Sequence, residues 1–208
     1  MGLDWNPANK AKPGHEEEFR KITKMLLGRV WWGRKKLEQR FSEISIPALE
    51  TLKVPQVGID KAATEWAKEK YRESAQEITE DEFVSQLIGY YVLELSPPSD
   101  GIPDYSNSAF GYVDAYSFRA QFLKECEDII GKDLLNKAFE YQQPAALVNY
   151  GDQLIESANK YSATHRLQIP EQAPDEIDTP TFYLHIVVSA GRWCKFWGSR
   201  GHMLEPYF

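Results

Sequence analysis

Residues 179–198, TPTFYLHIVVSAGRWCKFWG, constrain the fold more than any other stretch of this chain. Thr179 can accept hydrogen bonds from the free N–H groups of a first helical turn. Pro180 suits the first helical position, where its missing N–H costs nothing. Phe182, Tyr183, Ile186, Val187, Ala190, Trp193, Cys194 and Trp197 recur at helical spacing and make a wide apolar face. Leu184, Val188 and Phe196 carry apolar character around the back. A helix this apolar needs cover on most sides. The spacing therefore predicts a buried central helix, stopped by Gly198 in the left-handed conformation.

The remaining patterns are mostly helical and supply that cover. Glu16, Glu17 and Glu18 suit the positive end of a helix dipole, and Phe19, Ile22, Leu26 and Val30 follow as an apolar stripe. A second helical run covers 34–44. Pro47 and Pro55 break the chain over 45–58, where Val54 and Val57 suit an extended segment. Asp60 is placed to cap the next helix. Thr79 and Glu82 form a capping box for a helix expected to run to Leu95 and to end at Pro97-Pro98. Further helices are expected before Gly131, over 133–141, and from Pro144. Trp5 is expected to anchor an irregular N-terminal segment, and the aromatic tail after Gly198 to pack back. The expected architecture is a mainly α, single-domain bundle of about seven or eight helices over residues 1–208, built around the C-terminal helix.

Charge and motifs narrow the function classes. The net charge is −7, which argues against nucleic acid as a partner. Between Arg20 and Arg40 stand eight Lys or Arg residues and one acid, Glu38, so this segment carries +7 and the rest of the chain −14. Cys126 and Cys194 are far apart and read as buried free thiols. The first residues hold no apolar run, and the strongly apolar stretch 180–191 is too short to span a bilayer, so a cytoplasmic protein without membrane contact is expected. His15, His165, His185 and His202 lack ligand spacing, and no Walker loop, G-x-G-x-x-G or G-x-S-x-G run occurs. Neither a metal nor a cofactor is expected.

Four constellations are candidates for a site. His185, Ser189 and Arg192 fall within about 60° of one another on the central helix and make a narrow polar stripe. Glu94 shares the angle of Phe83, Leu87 and Tyr90 on its expected helix, and needs a cation such as Arg192 if buried. The loop 96–111 sets Asp104 and Tyr105 on a frame stiffened by Pro97, Pro98 and Pro103. The basic segment offers Arg34 and Lys35 beside aromatic residues. Two functions are consistent with these features. The first is a helical binding module acting through protein–protein contact, of inhibitor, immunity or adaptor type. The alternative is an enzyme or small-ligand binder with a cleft between the 180–197 helix and the 96–111 loop. That cleft would take an anionic ligand, with Glu94, His185 and Arg192 as catalytic groups and Ser189, Asp104, Tyr105, Arg34 and Lys35 as binding groups.

Overall fold

The computed structural model describes residues 2–28, 33–74, 77–97 and 116–208. In chain order they form β1 (Asp4–Pro7), β2 (Lys10–Ala11), α1 (Glu16–Leu27), α2 (Arg34–Ile44), β3 (Ser45–Ile46), α3 (Ala48–Thr51), α4 (Lys61–Glu73), α5 (Glu80–Gln86), α6 (Glu127–Lys137), α7 (Pro144–His165), α8 (Pro180–Ser199) and β4 (Leu204–Tyr207). Two 3-10 segments lie at Leu93–Leu95 and Ala120–Cys126. The fold is mainly α, as the periodicity predicts. No described helix is long and apolar enough to cross a membrane. The described elements group into two compact units, residues 2–48 with 116–208, and residues 49–97.

α8 is the core of the larger unit. Thr179 Oγ1 accepts from the Phe182 N–H at 3.2 Å, and Pro180 opens the helix as expected. Of its 20 residues, 14 are buried, including Trp193 and Trp197. Gly198 does not stop it. The helix continues to Ser199, and Gly198 is where the start of α7 comes closest. A Cβ there would stand 2.8 Å from the Pro144 carbonyl oxygen. Gly151 and Gly191 repeat this contact further along: a Cβ on Gly151 would lie 2.6 Å from the Gly191 oxygen. α7 and α8 therefore run antiparallel with their backbones nearly touching, which side chains larger than hydrogen would prevent.

The two ends of the chain join the same core. β1 pairs antiparallel with β4, from Asp4↔Tyr207 to Pro7↔Leu204. Trp5 is fully buried; its indole donates to the Ala138 carbonyl at 2.8 Å and packs against Phe118, Tyr150 and Trp193. The predicted anchor is therefore correct, but the segment that holds it is a strand. β2 pairs with β3 through Lys10↔Ile46 and Ala11↔Ser45. This pairing fixes α1 and α2 over a small core of Phe19, Ile22, Ile44 and Met203. Gly131, at φ 74°, breaks α6 internally, where a helix end was expected.

The smaller unit corrects one expectation. The capping box at Thr79 and Glu82 is fully formed, but α5 ends at Gln86. Gly89 turns at φ 89°, and the chain then pairs with the proline-broken segment: Val57 N–H donates to the Tyr90 oxygen at 2.9 Å, and Val92 N–H to the Pro55 oxygen at 2.9 Å. This pairing buries Val57 and Val92 with Ala63 and Ala67 of α4. The β-branched and aromatic character of 88–92 outweighed its helical start. Asp60 precedes α4 but caps nothing with its side chain, which accepts instead from the Gln56 N–H at 2.7 Å.

Candidate functional site

The polar stripe of α8 is split by burial. His185 and Ser189 are buried, at 1% exposure each, whereas Arg192 is exposed. Burial pushes the His185 imidazole down to about 4; a hydrogen bond to the Glu171 backbone opposes this, and Arg192 adds to it. His185 thus ties the connector before α8 to the helix, as a neutral ring. Ser189 Oγ and the indole nitrogens of Trp193 and Trp197 are buried without a hydrogen-bond partner among the described residues. Arg192 reaches water and needs no buried counter-charge. Glu94 lies in the smaller unit, exposed in its 3-10 segment, and accepts from the Trp66 indole N–H at 2.9 Å. The charge on Glu94 is satisfied there. Asp104 and Tyr105 lie outside the described residues, as does most of the 96–111 loop.

The basic segment resolves into two classes of cation. Arg34 pairs with Glu38 at 2.8 Å. Arg40 donates through Nε and Nη2 to both oxygens of Glu18, at 2.7 and 2.8 Å, and through Nη1 to Glu43 at 3.2 Å. Arg40, first, and then His15 hold the Glu18 carboxyl below its ordinary range by hydrogen bonding to it. Arg20, Lys21, Lys24, Lys35 and Lys36 behave differently. All five are exposed, and none makes an ion pair among the described residues. Arg29 lies outside the described residues.

Two clefts open beside α1, both within the larger unit. One, of about 380 Å³, places Arg34 near Tyr116, Tyr141, Thr23 and Glu205. The other, of about 330 Å³, is lined by Arg20 together with Lys10 and Arg200, which periodicity and spacing did not single out. Lys10 is placed by the β2–β3 pair, and Arg200 follows directly on α8. The Arg200 guanidinium lies 3.5 Å over the Phe196 ring, and its Nη1 donates to the Phe196 carbonyl at 3.1 Å. Burial, and then the charge of Arg200, lower the Lys10 pKa. The signal in the sequence was only compositional: a lysine and an arginine near opposite ends of the chain.

Among the described residues, no group of three or more His, Cys, Asp or Glu could hold a metal ion. The Cys126 and Cys194 thiols are buried, and burial raises both pKa values. No family model, curated protein or solved structure matches the chain. The candidate site is therefore the set of exposed cations on α1 and α2 that make no ion pair among the described residues, and the clefts beside α1.

Proposed function

We propose that the protein is a binding module that docks an acidic segment of a partner protein on the basic face of α1 and α2. The observation that carries this reading is the five exposed cations, Arg20, Lys21, Lys24, Lys35 and Lys36, which make no ion pair among the described residues of a chain whose net charge is −7. Carboxylates are plentiful in this chain, and Arg34 and Arg40 have recruited theirs. Met25 and Leu27 expose 43% and 49% of their surface in the same stretch. Protein interfaces commonly combine exposed apolar side chains with polar ones at their rim. Complementary charge orients the partner and speeds the encounter.

The test uses a fluorescent peptide of Glu and Leu residues, followed by anisotropy. Binding should saturate and should weaken about tenfold or more from about 50 to about 300 mM salt, because exposed charges are screened. The variant K21E/K24E/K35E/K36E should not bind, and Met25→Ser with Leu27→Ser should bind more weakly at both salt levels. Equal binding by the charge-reversed variant would refute the reading. So would tighter binding of a DNA oligonucleotide than of the acidic peptide.

A further inference from the structure

The cleft beside β2 holds more positive charge than its own residues can balance. Lys10, Arg20 and Arg200 line it, and Glu16 is the one acid among its lining residues. The Glu16 carboxylate is already engaged, accepting from the Gly14 N–H at 3.1 Å and serving the first turn of α1. None of the three cations makes an ion pair among the described residues. The remaining walls are Phe19, Met203 and the chain turn at Gly201.

We infer that this cleft, bounded by Lys10, Arg20 and Arg200, is a binding site for a dianionic phosphate group. Three cations against one committed carboxylate leave about two positive charges, which a phosphate dianion neutralises and a single carboxylate does not. The geometry is prepared for this. Arg200 is held on the Phe196 ring and carbonyl, so its guanidinium loses little freedom on binding. Lys10 is fixed at the backbone by its pairing with Ile46, and its stem passes the turn at Gly201. The proximity of Lys10 and Arg200 is unfavourable without an anion; the Lys10 pKa is lowered first by burial and then by the Arg200 charge. Gln143 and Pro144 add the first turn of α7, which no side chain caps. This site stands apart from the acidic-segment reading, since its cations other than Arg20 do not belong to the proposed docking face.

The phosphate can be free or carried on a serine of a partner protein. Titration calorimetry with inorganic phosphate at about pH 8, where the dianion prevails, tests the shared chemistry. A phosphoserine peptide and its unphosphorylated form separate the two sources. The expected result is saturable phosphate binding that Arg200→Gln or Lys10→Gln weakens about tenfold and that acetate does not match. Tighter binding of the phosphopeptide than of phosphate assigns a protein-borne group; the reverse order assigns a free one. Lys160→Gln, on the far part of α7, should leave binding unchanged. Arg200→Lys should retain part of it, and so distinguishes lost charge from lost fold should Arg200→Gln be unstable. Absence of saturation would overturn the inference, as would equal weakening by Lys160→Gln or equal affinity for acetate. Phosphate binding reads the cleft alone, so it stands or falls separately from acidic-peptide binding.

Discussion

His185 and His202 should give the protein a steep acid limit. Their rings are 1% and 0% exposed, and burial is the main cause that pushes each imidazole down to about 4. Arg192 adds to the effect at His185, and Lys10 and Arg200 add to it at His202; hydrogen bonds to the Glu171 and Ala8 backbones oppose it. The unfolded chain takes up these protons near the ordinary imidazole value of about 6.5, but the folded chain resists until about pH 4. Between those values the unfolded state binds more protons. Stability is therefore full above about pH 6.5 and falls as the pH drops toward 4. Each ring accounts for a loss of about 2 kcal/mol at pH 5 and about 3 kcal/mol at pH 4. Two rings remove about 4 kcal/mol between pH 7 and pH 5, a large share of the roughly 5–15 kcal/mol of a typical domain. Urea unfolding at pH 7, 6 and 5, followed by tryptophan fluorescence, measures this slope. His185→Gln and His202→Gln should each remove about half of it, whatever they do to stability at pH 7. Constant stability from pH 7 to pH 5 would refute the reasoning, as would a full slope in both variants.

Two further substitutions probe the packing around α8. Gly191→Ala gains about 1 kcal/mol of helix propensity, but its Cβ would meet Ile155 Cγ1 at 2.6 Å and the Gly151 carbonyl oxygen at 2.8 Å. Overpacking of about 1–3 kcal/mol against a backbone atom should win, lowering the melting temperature by a few degrees in thermal denaturation; an unchanged or raised value would mean that the helices separate easily. Trp5→Ala should cost about 3–5 kcal/mol in urea unfolding, because it empties the space between Phe118, Tyr150 and Trp193 and strands the Ala138 carbonyl. A loss below about 1 kcal/mol would show that the terminal strand pair is not part of the core.

What the sequence made legible was local chemistry. Thr179 and Thr79 cap as read, because a cap is a hydrogen bond between residues three apart and no distant neighbour enters it. α8 was legible because its apolar character is too broad for a surface helix. Gly198 misled because a glycine that ends a helix and a glycine that admits another backbone look alike in one dimension. Only the approach of Pro144 tells them apart. The short α5 misled for a related reason. Glu80 to Gln86 are helical by their own caps, but the next residues gain more by pairing with 55–57, about thirty positions back, than by extending a helix with Gly89 in it. Non-local pairing also produced the strands β1 and β4, whose alternation of exposed and buried residues spans only four residues each, too short to mark a strand by itself.

The site was less legible than the fold, and the reason lies in what angle measures. His185 and Arg192 share a face of α8, yet seven residues of helix rise about 10 Å, so one angle can be covered at one level and open at the next. His185 lies under the connector at Glu171, while Arg192 reaches water. Arg192 in water needs no buried partner, so the angle it shares with His185 marks no common pocket. Lys10 is the opposite case. Alone in the sequence it is one lysine in a polar segment, but the pairing of β2 with β3 and the end of α8 bring it beside Arg200, partly withdrawn from water and without a carboxylate in ion-pair contact among the described residues. The cost of holding like charges together there is fixed by the fold, not by the residue. A fold that keeps such a pair while Arg34 and Arg40 have found Glu38, Glu18 and Glu43 is one in which a bound anion would supply the missing charge.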